Sequence, residues 1–246
     1  MNDLKFCALA IVFCVTLVLT NILSVKIFQL PFLNIALTGG DLLYPLCFLI
    51  TDIVTEVWGK RRASFIVYAG FFTMLFMLGI TQLFMRLTPH PFWVAPDNPF
   101  GFATVEEYQN AFVSVFHVGG YLVFASLTAF ITSQLLDISL FQFFRNLTKG
   151  KHLWLRNNVS TTLSQLVDSV IFTSIYFFWG LGLEFAVCIQ LFLYMYGFKL
   201  VLALVDTPLC YLGVTLLNGY GASRPSFREN ASDQSAYPLS PHRLSP

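Results

Sequence analysis

Asp52 and Glu56 stand four residues apart inside an otherwise apolar run, Gly39-Gly-Asp-Leu-Leu-Tyr-Pro-Leu-Cys-Phe-Leu-Ile-Thr-Asp-Ile-Val-Thr-Glu-Val-Trp-Gly-Lys-Arg-Arg62. Side chains four apart share one face of a helix, so this run turns two carboxylates toward one neighbour. A carboxylate in hydrocarbon costs about 2.5–3.5 kcal/mol on insertion scales, and a polar cavity between helices removes that cost. Asp52 precedes Lys60 by eight residues, which places it roughly 12 Å deeper than the basic edge at the helical rise. It is too deep for an edge ion pair and reads as part of a ligand site. Glu56, one turn from the edge, can pair with Lys60 or Arg61 or act with Asp52 in coupling.

Further polar side chains fall inside apolar spans. Ser133-Gln-Leu-Leu-Asp137 is echoed by Ser164-Gln-Leu-Val-Asp168, and each copy puts Gln and Asp three apart on one helical face. Gln165 and Asp168 lie near mid-span and read as lining a polar cavity. Asp137 reads as an inner-edge partner for the basic loop that follows it. Lys199 and Asp206 are two turns apart, and a buried ammonium requires a buried carboxylate, so Asp168, Asp206 or Asp52 is its expected partner. Asn21 can serve a ligand or join two helices. His117 is expected to pack among aromatic residues.

The elements that carry these groups are apolar. Of 246 residues, 56% are hydrophobic and only 11% charged, with 27 Phe; a soluble domain carries about a quarter charged residues. The apolar blocks reach the roughly 20 residues that a bilayer crossing needs. An all-α membrane protein follows, a bundle of six transmembrane helices near 4–25, 40–58, 64–87, 112–135, 157–180 and 185–217. The first run lacks a small-x-small cleavage site and reads as a retained helix. Residues 27–38 read as a loop. Thr104-Val-Glu-Glu107 matches a capping box, which starts a short surface helix before the fourth span. Lys and Arg concentrate in the second–third and fourth–fifth connections and in the tail, so both termini are expected in the cytoplasm. Residues 1–217 are expected to form one six-helix transmembrane domain. Residues 218–246, rich in Ser and Pro, read as a disordered cytoplasmic tail.

The five cysteines form no CxxC or Cys/His cluster and read as small buried hydrophobes. No HExxH, GxGD, P-loop or nucleophile elbow occurs. No metal, cofactor or nucleic-acid partner is implied; the expected partners are the bilayer and a small molecule.

The run Thr51-Asp-Ile-Val-Thr-Glu-Val-Trp-Gly-Lys-Arg-Arg-Ala63 resembles the signature of the bacterial queuosine precursor transporter family, also called vitamin uptake transporters. Ala125-Ser126 with Ser133-Gln134 and Asp137, Leu153-Trp154 leading to Ser160, Ser164-Gln165 and Asp168, then Lys199 and Thr207-Pro208 with Tyr211 continue the resemblance in family order. Trp58 stands where an aromatic residue, often Tyr, is usual. The resemblance implies a multi-pass inner-membrane protein that imports a 7-deazaguanine base, such as the cyano or aminomethyl precursor or queuine, by alternating access. A carboxylate accepts the paired donors of a guanine-like edge and an amide reads the adjoining carbonyl. On that basis Asp52, Gln165 and Asp168 are expected at the base edge, with Asn21, Gln134 and Lys199 near them, and with Glu56 and Asp206 as coupling or ion-pair groups. Two rivals are a substrate-binding subunit served by a separate ATP-driven module and an intramembrane enzyme built on carboxylates.

Overall fold

The computed structural model describes residues 2–29, 36–94, 101–117 and 120–218. Pro31, Pro96, Pro99, Gly119 and the tail from 219 onward lie outside the described residues. Six helices of 20 residues or more dominate: α1 (Asn2–Leu23), α2 (Gly39–Trp58), α3 (Lys60–Arg86), α5 (Gly120–Leu147), α6 (Leu153–Phe172) and α7 (Phe185–Asn218). The shorter α4 (Val105–Phe116) precedes α5.

Among the described residues, four stretches are long and apolar enough to cross a bilayer: Asp3–Leu23, Lys60–Arg86, Val105–Leu147 and Phe185–Leu217. α2 and α6 fall outside that set because they carry the polar side chains, and those side chains point inward. α2 buries Thr51, Asp52 and Thr55, and α6 buries Arg156, Ser164, Gln165 and Asp168 among others. By contrast α3 presents Phe65, Phe72 and Phe76 outward, 63%, 65% and 71% exposed. Around α2 pack α1, α3, α5 and α7, and α5 lies along α6. The main apolar core joins Phe13 and Leu17 of α1 to Val54 of α2, Ile66 and Val67 of α3, and Ile138 of α5.

The expected loop at 27–38 is instead a short antiparallel hairpin, β1 (Ile27–Gln29) against β2 (Ala36–Thr38), with Ile27 opposite Thr38. It delivers the chain into a capping box: Thr38 Oγ1 accepts from Asp41 N at 3.2 Å, and Asp41 Oδ2 accepts from Thr38 N at 3.0 Å. Gly39 and Gly40 then let α2 start against the end of α1. A Cβ at Gly39 would stand 2.5 Å from the Leu23 carbonyl oxygen, and one at Gly40 would stand 2.9 Å from Ser24 Cβ.

α5 runs on to Leu147, well past the expected end near 135. The polar cluster there looks like a terminus, yet Ile138 and Phe141 beyond it are fully buried, so packing carries the helix forward. α6 begins at Leu153 rather than 157 and changes to π-helical turns over Thr173–Gly180, with Leu181 N donating to Tyr176 O at 2.9 Å. At α4, Thr104 Oγ1 accepts from Glu107 N at 3.2 Å, but Glu107 Oε2 accepts from Ala103 N at 2.8 Å. The box therefore closes one residue earlier than the sequence pattern implies. His117 is exposed at the end of α4 and does not pack. Cys47, Cys188 and Cys210 are buried as expected, whereas Cys7 is exposed and Cys14 half-buried.

The end of α2 is pinned by an ion cluster. Glu56 pairs with Arg156 of α6 at 2.5 Å and lies 3.9 Å from Arg145 of α5. Neither Lys60 nor Arg61 takes this role; Lys60 donates to Ser139 instead. Arg156 is 1% exposed and lies over the Phe141 ring, 5.4 Å from its centroid. A buried cation that loses its anion is strongly destabilising. Glu56→Gln or Arg156→Met alone should lower stability by about 3–5 kcal/mol, and the double variant Glu56→Leu/Arg156→Met should recover most of that; thermal unfolding in detergent reads both. Gly39→Ala should cost about 1–3 kcal/mol by overpacking against backbone, seen as a lowered Tm in the same assay.

Candidate functional site

The site is built where α2, α5, α6 and α7 turn their polar faces together. The sequence echo between α5 and α6 has a direct structural meaning. Ser133 Oγ donates to Asp168 Oδ1 at 3.0 Å, and Ser164 Oγ donates to Asp137 Oδ1 at 2.9 Å. Each serine of one copy serves the aspartate of the other across an antiparallel helix pair, so the two copies are related by a local two-fold. Asp137 is therefore fully buried in the seam and not a partner for the basic loop.

Asp168 is fully engaged. Besides Ser133 it accepts from Tyr44 Oη at 3.0 Å and pairs with the ammonium of Lys199. Of the three partners expected for Lys199, Asp168 is the one the structure supplies. The Lys199 ammonium also lies 5.6 Å from the centroid of the Tyr44 ring. Asp52 is 2% exposed and accepts from Thr161 Oγ1 at 3.3 Å. Asp137 is buried in the same polar layer and accepts from Ser164. Gln134, fully buried, accepts from Thr51 Oγ1 at 3.1 Å.

In front of this layer a narrow cleft runs between α2, α6 and α7. α2 contributes Asp41, Tyr44 and Pro45, α6 contributes Thr161 and Gln165, and α7 contributes Phe198, Lys199, Ala203 and Asp206. The lining offers two aromatic rings, a paired ammonium, two carboxylates and an amide, which suits a flat polar molecule.

Among the side chains singled out from sequence, Gln165, Lys199 and Asp206 line the cleft. Asp52 and Asp168 stand directly behind it, through Thr161 for the first and through Tyr44 and Lys199 for the second. Gln134 lies in the same buried layer. Asn21 is placed elsewhere: its Nδ2 donates to Leu17 O at 3.1 Å and contacts Met74 Sδ at 3.3 Å, on the seam of α1 and α3. Glu56 belongs to the ion cluster at the far end of α2.

Tyr44 and Phe198 escape sequence reasoning, because nothing in the pattern separates them from the other 9 Tyr and 26 Phe. Ser133 and Ser164 carried a signal, the shared Ser-Gln-x-x-Asp order, whose meaning lies in the antiparallel pairing.

The comparisons with known proteins agree with this architecture. Residues 38–213 match the family model described as "Putative vitamin uptake transporter". A "Probable queuosine precursor transporter" of Bacillus subtilis (strain 168) is 31% identical over 196 residues, covering 79% of this chain and 78% of the relative. A "Probable queuosine precursor transporter" of Haemophilus influenzae (strain ATCC 51907 / DSM 11121 / KW20 / Rd) is 26% identical over 142 residues, covering 57% and 52%. No solved structure matches. An intramembrane enzyme is thereby set aside, since the matched family is one of transporters. The matched segment contains α2, the α5–α6 seam and every residue lining the cleft, and the chain belongs to this family of membrane transporters, the vitamin uptake transporters, whose curated members are named for queuosine precursors.

Proposed function

We propose that this protein imports a 7-deazaguanine precursor of queuosine across the bacterial inner membrane, by alternating access around the cleft between α2, α6 and α7. Six helices, α1, α2, α3, α5, α6 and α7, cross the bilayer, and both termini lie in the cytoplasm, as the distribution of Lys and Arg requires. The observation that carries the reading is the cleft between α2, α6 and α7, lined by Tyr44, Phe198, Gln165, Lys199 and Asp206. The names of the two relatives supply the class of cargo.

The ends of α2 give the cleft a direction. It reaches Asp41 in the first turn of α2, whereas Glu56, roughly 22 Å further along at the helical rise, is clamped by Arg156 and Arg145. The basic Lys60-Arg61-Arg62 end lies in the cytoplasm, so the cleft opens outward and the ion cluster closes the inner side. Import then requires that cluster to part while the Asp41 end closes. Asp52 and Asp168 hold Thr161, Tyr44 and Lys199 in place for the base.

The test is restoration of queuosine in transfer RNA, in cells that lack their own transporter and cannot make the base, supplied with each precursor separately. Expression of this chain should restore the modification, and no restoration by any precursor would remove the proposal. Uptake of labelled precursor by the purified chain alone in liposomes should also occur; if it does not, a separate ATP-driven module is required. Asp52→Ala, at normal membrane levels, should cut uptake about tenfold or more, because Thr161 loses its acceptor in a buried layer.

A further inference from the structure

The carboxylates of the polar core are not equivalent. Asp168 is taken by Lys199, Tyr44 and Ser133. Asp52 accepts from Thr161 and Asp137 from Ser164. Glu56 holds Arg156. Asp206 alone among these five has neither a hydrogen bond nor an ion pair from the described residues, although it is only 9% exposed and lines the cleft. Gln165 is in the same condition: 3% exposed, in the cleft lining, its Oε1 enclosed and without a partner, and its amide nitrogen joined to none of the described residues. Buried polar groups in folded proteins are almost always satisfied, and exceptions call for a partner that arrives from outside. Here two of them, from α6 and α7, border one cleft.

Resting on the import reading above, we propose that Asp206 and Gln165 form the edge that selects the base, with Asp206 rather than Asp52 or Asp168 as the carboxylate that reads it. The two oxygens of Asp206 accept a ring N–H and the adjacent exocyclic amino group, a paired-donor edge that a carboxylate matches in a fork. The amide of Gln165 donates to the carbonyl next to that ring N–H. Tyr44 and Phe198 offer aromatic faces to the plane of the base. Lys199 does not compete for Asp206, because Asp168 already holds it. The class selected is a planar heterocycle whose edge runs carbonyl, N–H, amino. A heterocycle with a second carbonyl in place of the amino group sets two acceptors lone pair to lone pair against Asp206 and is rejected.

The experiment measures binding of 7-deazaguanine and 7-deazaxanthine to the full chain, purified into lipid nanodiscs, for the wild type and Asp206→Asn. Wild type should prefer 7-deazaguanine by about 10- to 100-fold, the range expected for hydrogen bonds to a charged group. Asn at this position presents one acceptor and one donor, so Asp206→Asn should reverse the preference, losing 7-deazaguanine and gaining 7-deazaxanthine. A gain of binding cannot come from misfolding. An Asp206→Asn protein that keeps the wild-type preference overturns the inference and leaves the import reading standing. A wild type that binds neither base removes both. Should Asp206→Asn not accumulate in the membrane, Gln165→Leu decides: it should weaken 7-deazaguanine about tenfold, the loss of one hydrogen bond to a buried group, while retaining discrimination at the amino position. Unchanged affinity in that variant overturns the inference.

Discussion

Two cations are held deep in this protein, and each is held by a carboxylate from another helix. In a low-dielectric interior an uncompensated charge is costly enough to reorganise a fold. Arg156 answers to Glu56 and thereby locks α6 to α2; Lys199 answers to Asp168 and locks α7 to α6. These two pairs set which helix faces meet. Their spacing also divides the interior into an ionic end and a polar middle.

The polar middle has two layers with different properties. The rear layer is cross-linked: Ser133 and Ser164 exchange hydrogen bonds with Asp168 and Asp137, Thr161 serves Asp52, and Thr51 serves Gln134. These shared hydrogen bonds couple α2, α5 and α6 to one another. The front layer is sparser, with Gln165 and Asp206 lacking partners among the described residues. The local two-fold in the seam of α5 and α6 produces the serine–aspartate bonds of the rear layer from two copies of one short pattern.

The apolar helices do different work. α1, α3 and α7 expose Phe, Leu and Val along their outer faces, as lipid-facing helices do, and they meet α2 and one another at glycines. Gly39 and Gly40 against α1, Gly70 against Phe13 and Gly213 against Ile53 each occupy a place where a Cβ would collide. Small residues at such crossings are the usual means of packing helices where no water drives them together.

Much of this was readable along the chain. Hydrophobic runs of bilayer length announced the helices, and Asp52, Gln165, Asp168, Lys199 and Asp206 stood out because burying a polar side chain in an apolar run demands a reason. The order of motifs from α2 to α7 was enough to place the chain in its family. Pairing was not readable, because a carboxylate's partner is chosen by helix rotation and axial offset, which one-dimensional spacing does not encode. Glu56 met Arg156, some 100 residues away, and not the adjacent Lys60 or Arg61, and Asp137 turned into the seam where an edge position had been expected. Asn21, a plausible ligand group by type, went to the seam of α1 and α3. Tyr44 and Phe198 became cleft walls only through the crossing of α2 and α7. Residue type limits which contacts are affordable in hydrocarbon; packing selects among them, since each helix can turn only one face toward the cleft.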